Sequence, residues 1–415
     1  MRDIRIRSGI DLRFAGAPDQ TIEAGSHVAS AALLGSDFPG LRPALAVAAG
    51  DKVRAGQLLF SDRRQPEIAH VAPVSGTIVE LSRGRRRSLD TLVIAVDAQE
   101  GETFPSPASP DRQSLTTLLL RSGQWLSLRT RPFGRIPAPG AVPAAIFITA
   151  IDTAPLSPDP AVVIAAYADR FARGAEALRL LTDGKVHLAQ ARGAVLPVPS
   201  GVEASAFSGP HPAGLAGTHI HHLHPVGPGV TVWQISYQDV IAIGHLLETG
   251  RIWSERVVAL AGPGMVKPGL VLTRPGASLR ELCAGRLEPG GVRLLSGSPL
   301  DGRQEHFLSR WHCQVSAMPH HPPAEARGGP LRRLHSFLRR DVPAVIPNAA
   351  HEQAAPARIL PVPFLRALGI GDAQTALRLG ALELLEEDMA LLSHLDGVDY
   401  GDLLRRVLDE LEAQQ

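Results

Sequence analysis

Cysteine, lysine and aromatic residues are scarce in this chain of 415 residues. Its two cysteines, Cys283 and Cys313, cannot form a disulfide framework and cannot supply the thiolates of an iron–sulfur cluster. We therefore expect a reducing compartment. The chain also lacks any run of about 18 apolar residues, so no membrane-spanning helix is predicted, and its first residues contain no apolar core of signal-peptide length.

The charge of the chain is close to balanced, with a formal net charge of +1 at pH 7. Lysine occurs only at Lys52, Lys185 and Lys267, so arginine carries nearly all of the positive charge. A balance of this kind does not point to nucleic acid as a partner. A hydrophobic content of 44%, with 40 glycines and 35 prolines, suits globular domains of short strands and turns. The length predicts about three domains.

A Gly- and Pro-rich stretch over 207–244 contains five histidines: His211, His219, His221, His222 and His224. Imidazole is a common zinc ligand, and a catalytic zinc site needs three protein ligands. In an extended chain His219 and His221 would face one side while His222 and His224 face the other, so only two would converge. We therefore expect a packed loop of irregular backbone before a strand at 230–237, rather than a zinc site.

Residues 41–100 have the rhythm of short strands ended by glycine or aspartate. The phrases GDKV at 50–53 and APVSGTIV at 72–79 resemble the lipoyl or biotinyl carrier domain, a barrel-sandwich hybrid. Such carriers need a lysine at a hairpin tip, because its amine forms the amide to the cofactor. The tip here is RRQP at 63–66, and a guanidinium does not replace that amine. We expect the fold to be kept and the carrier chemistry to be lost.

The remaining segments predict an α/β layer, a second β-rich unit and C-terminal helices. The continuous apolar run at 143–150 is typical of a buried strand, and residues 160–181 have helical spacing. Strands surround one short predicted helix at 278–284, which favours a β-grasp domain. We therefore divide the chain into a barrel-sandwich domain (1–102), an α/β domain (111–255), a β-grasp domain (256–318) and a helical domain (331–415).

Two charged runs each allow a bland and a functional interpretation. The tract LRRLHSFLRR at 331–340 predicts an amphipathic helix with an ordinary charged face, and contact with anionic lipid or an acidic partner is the alternative. The acidic run Glu383–Asp388 predicts a solvated turn at a capped helix. Paired catalytic carboxylates or a sodium site are the alternatives there.

Several long motifs together resemble the A subunit of the bacterial sodium-translocating NADH:quinone reductase. They include RSGIDLRFAGAPDQTIE, RTRPFGRIPAP, AAIFITAIDTAPL, FSGPHPAGLAGTHIHHLHPV and RPGASLRELCAG. The resemblance implies a peripheral subunit on the cytoplasmic side of the bacterial inner membrane. Enzymes of that family oxidise NADH, reduce ubiquinone and export sodium ions. The expected partners are therefore the other subunits, especially the membrane subunits, and ubiquinone.

The resemblance also implies a Rossmann-like α/β domain similar to the NADH-binding subunit of respiratory complex I, and a β-grasp domain of the soluble-ligand-binding type. Relatives with that fold cradle flavin phosphate with a Gly-rich loop, because glycine lets backbone amides approach the anion. The aligned loop here is RTRPF at 129–133, where proline removes an amide and bulky side chains block close approach. We therefore expect no covalently bound cofactor, FMN, iron–sulfur cluster or zinc on this chain.

Two stretches combine apolar and aromatic side chains with hydrogen-bond donors, as a quinone head group requires: LLGSDFPGLRP at 33–43 and RTRPFGRIP at 129–137. The family resemblance points to the same stretches as quinone-associated. The predicted site has Arg131 as a donor and four apolar walls: Phe38, Leu41, Phe133 and Ile136. The alternative is that the phenylalanines pack a seam between domains and the arginines are solvated.

Two other functions stay open at this point. A self-sufficient NADH or flavin dehydrogenase would bind flavin or NADH tightly by itself, whereas a pure scaffold would bind no small molecule. The chain departs from the family in its short, His- and Pro-rich tract after Met318, which puts a partner contact through that tract in question. It also has Ala381 and the run Leu391–Leu395 where members commonly have cysteines, which argues against a redox role for cysteine there.

Overall fold

The first two strands of the chain complete sheets that are built mainly from later residues. The computed structural model describes residues 1–84, 88–107, 109–319, 345–356 and 359–414. Strand β1 (Arg2–Arg5) pairs in parallel with residues 205–208, and β2 (Asp19–Ala24) pairs with residues 269–272. The predicted barrel-sandwich domain (1–102) therefore includes two strands, β1 and β2, that belong to other sheets. The physical reason is burial, because Ile6 packs with Phe207 in one small core and Ile22 packs against the largest core.

Seven short strands follow and form the two sheets of a small sandwich. They are β3 (Ser30–Leu34), β4 (Pro43–Leu45), β5 (Lys52–Val53), β6 (Leu58–Asp62), β7 (Gln65–Val71), β8 (Gly76–Arg83) and β9 (Leu89–Val96). The sheet orders are β3-β9-β8-β5 and β4-β6-β7. Buried side chains such as Phe60, Ile78 and Leu92 fill the space between them. The β6–β7 hairpin tip is pinned, because Arg64 pairs with Asp62 and donates to the Gly40 carbonyl at 2.7 Å.

The central unit is a largely parallel sheet covered by helices. Its elements are α1 (Arg112–Arg121), β10 (Arg129–Arg131), β11 (Ala145–Ala150), α2 (Pro160–Ala166), α3 (Ala168–Leu178), β12 (Lys185–Ala191), β13 (Val202–Ser208), α4 (Ala216–Leu223), β14 (Val232–Ser236) and α5 (Tyr237–Thr249). The strand order is β1-β13-β12-β11-β14-β10, and β10 alone of these runs antiparallel to its neighbour. Helix α5 begins at the Ser236 cap and ends at Gly250, whose φ of 68° suits glycine.

The His-rich stretch differs from the irregular, extended loop that we predicted. Residues 216–223 form helix α4, and the glycines and prolines lie in the turns that precede it. The helix forms because Ile220, fully buried, packs with Phe147 and Val232 of the sheet. Tertiary packing of an apolar face thus overrides the local turn signals.

A second sheet lies beside the sandwich and the central unit. It contains β15 (Arg256–Ala261), β16 (Gly269–Thr273), β17 (Val292–Ser296), β18 (Arg303–Gln304) and β19 (Gln314–Pro319). The short helix α6 (Leu279–Leu282) lies between β16 and β17 in the sequence. The strand order is β18-β17-β19-β15-β16-β2. Ser278 caps α6, whereas Glu281 reaches the sandwich and accepts hydrogen bonds from the Ala29 and Ser30 amides.

The last described part of the chain is helical, as predicted. Its helices are α7 (Ala349–Ala354), α8 (Pro361–Ile370), α9 (Ala373–Arg378), α10 (Ala390–Asp396) and α11 (Tyr400–Ala413). The apolar stripe of α11 is buried at Leu404, Val407, Leu408 and Leu411. The predicted helix at 331–340 lies outside the described residues. Within the described ranges, no helix has the length and apolar character needed to cross a membrane.

Candidate functional site

An open cleft lies where the sandwich, the central unit and the second sheet meet. It holds about 780 Å³ of empty space, including solvent at its mouth. Its apolar walls come from Leu33 and Phe38 of the sandwich, Leu126, and the pair Ile252 and Trp253 after α5. A mostly apolar cleft at a domain junction is the usual setting of a small-molecule site.

Phe38 connects the cleft wall to an aromatic group with His70 and Phe60, which do not line the cleft. Its ring meets the His70 ring edge-on with centroids 4.8 Å apart, and His70 stacks on Phe60 at 4.6 Å. Neither ring nitrogen of His70 has a hydrogen-bond partner among the described residues. Burial, assisted by the charge of Arg310, lowers the pKa of His70 to about 4, although the nearby Ile68 carbonyl favours the protonated ring. His70 is therefore neutral at pH 7.

Two arginines line the cleft, Arg256 and Arg310, and Arg310 is the one without a carboxylate partner among the described residues. Its Nη2 donates to the Ser127 hydroxyl at 3.1 Å, and its guanidinium lies 5.7 Å from the centre of the Trp311 ring. Its Nε is buried without a hydrogen-bond partner, although part of the residue is accessible. Within the described ranges no carboxylate lies at ion-pair distance from this guanidinium. Burial lowers the pKa of Arg310, and the charge of Asp239 opposes this effect.

The two aspartates of the cleft are already engaged by other groups. Asp37 accepts from Arg303 Nη2 at 2.6 Å, from the Ser309 hydroxyl at 2.5 Å and from the backbone amide of Arg310 at 2.9 Å. Asp239 pairs with Arg256 at 2.8 Å. These contacts fix the backbone of Arg310 without neutralising its side chain.

Of the predicted quinone-binding residues, Phe38 lines this cleft and Arg131 does not. Arg131 is fully buried, and all three of its side-chain nitrogens donate to protein groups. Its partners are the Gln234 side chain at 2.8 Å, Asp388 at 2.6 Å, Glu387 at 3.0 Å and the Glu383 carbonyl at 2.7 Å. Burial alone would lower the pKa of Arg131, but the Asp388 and Glu387 carboxylates raise it. The predicted role of Arg131 as a quinone donor is therefore not supported.

The other predicted walls are separated by the fold. Leu41 and Ile136 pack against the large core to which Phe38 belongs, and neither is among the residues that line the cleft. Phe133 lies in a different core with the C-terminal helices, and its carbonyl accepts from Arg405 at 2.9 Å. Residues of the stretch 129–137 therefore contact the C-terminal helices.

The acidic run Glu383–Asp388 is not the solvated turn that we predicted. Asp388 is 3% exposed, and the Glu387 carboxylate also forms an ion pair with Arg129, with Oε2 3.5 Å from Nη1. Glu383 pairs with His221 of α4. Burial raises the pKa of Asp388 against the opposing charge of Arg131. Asp388 is buried and the three glutamates are half-buried, because Arg129, Arg131 and other cations offer the run compensating charge.

The histidines of the Gly- and Pro-rich stretch have separate partners. His211 bonds Thr153, His219 bonds the Ala213 carbonyl, and His222 bonds the Thr218 carbonyl. Among the residues that the structure describes, no group of three or more His, Cys, Asp and Glu side chains could hold a metal ion.

The predicted flavin-loop remnant at 129–133 uses its backbone amides within the protein. Thr130 donates to the Arg135 carbonyl at 2.7 Å, and Gly134 donates to the Thr130 carbonyl at 2.9 Å. These amides do not form an open cradle for phosphate.

Sequence reasoning missed Arg310 and His70. Arg310 stands in the tract SRWHC, where neither spacing nor composition distinguishes a buried guanidinium from a solvated one. His70 occupies an ordinary inward position of β7. Their common environment depends on contacts between residues about 240 positions apart, and periodicity carries no signal of such contacts.

Three family models cover most of the chain. A model described as the NqrA N-terminal barrel-sandwich hybrid domain matches residues 4–97, the NqrA second alpha/beta domain matches 110–252, and the NQRA C-terminal domain matches 257–306. The predicted barrel-sandwich and α/β units are thereby confirmed as a mixed α/β multidomain fold. An NAD+-reducing [NiFe]-hydrogenase structure covers 72% of this chain and 64% of its own, at 13% identity and a TM-score of 0.39.

Relatives of similar length carry one common name, that of the A subunit of Na(+)-translocating NADH-quinone reductase. The protein from Pseudomonas aeruginosa is 44% identical over 445 residues, covering 99% of this chain and 100% of its own. Those from Shewanella frigidimarina and Marinomonas sp. are 43% and 41% identical, each over 99% of this chain and at least 99% of their own. This chain therefore belongs to the NqrA family, the A subunits of Na(+)-translocating NADH-quinone reductases.

Proposed function

We propose that the chain is a peripheral, cytoplasmic-side subunit of a sodium-translocating NADH:ubiquinone reductase, and that its cleft binds the quinone head group. Such an enzyme couples NADH oxidation and ubiquinone reduction to sodium export. The names of relatives that match end to end support the enzyme assignment. The other subunits, including the membrane subunits, are the proposed partners.

The observation that carries the quinone proposal is the cleft itself. Leu33, Phe38 and Trp253 offer apolar contacts to a planar ring, and Arg310 offers donors to a ring carbonyl. This revises the predicted residue set: Phe38 is kept, Arg310 replaces Arg131 as the donor, and Leu41 and Ile136 contribute to the large core without lining the cleft. Phe133 has no role in this site.

The finer fold assignments belong to the same proposal. A Rossmann-like central unit is supported by parallel strands whose order reverses at β11, with β12 on one side and β14 on the other. A β-grasp second unit is supported by the sheet around α6. We keep the boundaries near 102, 255 and 318, with β1 and β2 assigned to the sheets that they complete.

In this proposal the chain binds no flavin, iron–sulfur cluster or zinc of its own, and ubiquinone is its substrate. A self-sufficient dehydrogenase is less well supported, because the amides at 130 and 134 bond within the protein. The alternative is a scaffold that binds no ligand, and the experiment must distinguish it from a quinone-binding subunit.

The test is titration calorimetry of the full chain with a short-chain ubiquinone. We expect saturable binding that Phe38→Ala weakens at least about tenfold, because a cleft wall loses its ring. Phe133→Ala is the matched control, since it removes an equally buried phenyl group from the other core. Equal weakening by both variants would move the site away from the cleft. No binding by a wild-type chain with a normal Tm would leave assembly of the enzyme as its role.

A further inference from the structure

We propose that this cleft selects ring ligands that carry a negatively charged oxygen over neutral rings of the same shape, and that Arg310 makes the selection. The inference rests on the proposed quinone site but goes beyond it, because it specifies the charge state of the preferred ligand. The chemical class is an anionic quinone, namely an ionised hydroxyquinone or a semiquinone anion, in which a ring oxygen carries negative charge.

The carboxylates around the cleft leave Arg310 without an ion-pair partner. Three arginines (Arg256, Arg303 and Arg310) face three carboxylates (Asp37, Asp239 and Glu255), so the formal charges balance in number. Asp239 pairs with Arg256, and Asp37 pairs with Arg303. Of the two arginines that line the cleft, Arg256 and Arg310, only Arg310 lacks a carboxylate at ion-pair distance among the described residues.

Glu255 does not supply the missing negative charge to Arg310. It also lines the cleft, but its carboxylate accepts from the Trp253 indole at 3.2 Å. The described residues place it outside ion-pair distance of every arginine, so it does not satisfy the free Nε of Arg310.

The position of Arg310 leaves donors available and holds them in place. Its only side-chain hydrogen bond in the described ranges goes to a neutral hydroxyl, that of Ser127. The Trp311 ring lies against its guanidinium, and the Asp37 carboxylate fixes its backbone amide. A guanidinium that is fixed in this way loses little further entropy when it binds.

An oxyanion suits this position for energetic reasons. An unpaired buried cation is unfavourable, and an anionic ligand relieves that cost while the apolar walls still accept its ring. Hydrogen bonds between charged groups are about twice as strong as neutral ones. One-electron reduction without proton uptake gives a semiquinone anion with negative charge on its oxygens, so the same contact favours that anion over the neutral oxidised ring.

The test compares two small rings of similar size on the full chain. The anionic probe is 2-hydroxy-1,4-naphthoquinone, which is deprotonated at pH 7, and the neutral probe is 2-methyl-1,4-naphthoquinone. By calorimetry we expect the wild type to bind the anion at least about tenfold more tightly. Arg310→Met should reduce the preference to less than about threefold, and Arg310→Lys should retain part of it. Arg293→Met, at an exposed arginine, is the control for general attraction and should change nothing.

Each outcome separates charge selection from the quinone site on which it rests. If neither ring binds, the proposed quinone site fails. If both bind wild type with equal affinity, the quinone site stands and charge selection is overturned. A preference that survives unchanged in a folded Arg310→Met variant would assign the selection to another residue. The wild-type comparison needs no variant, so it tests charge selection even if Arg310→Met does not fold, and Arg310→Lys then tests the role of Arg310.

Discussion

Arg131 and Asp388 form an ion pair of 2.6 Å, and both side chains are almost completely withdrawn from solvent. One residue belongs to β10 of the central unit and the other precedes α10, so the pair fastens the C-terminal helices to the sheet. Arg135 adds pairs to Asp409 and Glu412 of α11 at 2.7 and 2.6 Å. The attachment of these helices is therefore electrostatic at its centre as well as apolar.

Removing one partner of the buried pair should be costly. We expect Arg131→Met to lower the free energy of unfolding by about 3–5 kcal/mol, because the Asp388 carboxylate is left buried without its counter-charge. Urea titration followed by limited proteolysis of the C-terminal helices would measure this loss. The matched control is Arg406→Met, which breaks the exposed pair with Asp402 and should change stability by less than about 1 kcal/mol. Restoration of stability by the double change Arg131→Met and Asp388→Leu would assign the loss to the orphaned charge, and equal effects of the two single arginine variants would contradict it.

The stability of the protein should fall below pH 6.5 partly through His70. Its folded pKa of about 4 is below its ordinary value of 6.5, so between these values the unfolded chain binds a proton that the folded chain does not. Stability is therefore lost as pH falls through this window, by about 2 kcal/mol at pH 5 from this residue. His70→Leu should remove that share of the pH dependence while leaving stability at pH 7.5 nearly unchanged.

Urea titrations at pH 7.5 and pH 5 would measure the difference. His27→Gln, at a position outside the buried core, is the control and should keep the wild-type slope. His219, whose pKa burial lowers to about 3, keeps a residual slope in both variants. If the free energy of unfolding of His70→Leu depends on pH as strongly as that of the wild type, folding does not lower the pKa of His70 and the prediction is wrong.

Helices α3 and α5 should not tolerate a methyl group where they cross. A Cβ on Gly244 would lie 1.8 Å from the Arg170 carbonyl oxygen, and one on Gly174 would lie 2.0 Å from the Val240 carbonyl oxygen. We expect Gly244→Ala to destabilise the protein by about 1–3 kcal/mol, because the helices must separate. Gly227→Ala, where a Cβ meets nothing within 4 Å, should be neutral or slightly stabilising. Thermal melts would compare the two, and a neutral Gly244→Ala would mean that the crossing can widen freely.

The two thiols should be unreactive in the folded protein. Burial raises the pKa of Cys283 to about 12 and also raises that of Cys313, despite the neighbouring Arg256. Iodoacetamide at pH 8 should label neither until urea is added, and mass spectrometry with Cys283→Ser and Cys313→Ser would identify each site. Cys283 is buried and Cys313 is half-buried. Rapid labelling of the native chain at either position would contradict the raised pKa of that thiol.

Local patterns predicted the elements whose own side chains form a core. The apolar run of β11 and the stripe of α11 needed no distant partner to be recognised. The acidic run was misjudged because the burial of Asp388 depends on Arg131, more than 250 positions earlier in the sequence. Helix α4 was misjudged because the sheet beneath it supplies the packing that its turn-rich sequence hides. A single sequence reveals the local charge and the hydrophobic periodicity. It does not reveal which distant residue compensates a buried charge.

The placement of β1 and β2 has a consequence for synthesis of the chain. These strands are synthesised well before their pairing partners, which end at Ser208 and Thr273. At about 5–20 residues per second they wait on the order of ten seconds or longer without a sheet to join. β1 and β2 therefore complete their sheets instead of starting them. A bulky fusion placed before β1 should slow maturation more than one placed after α11.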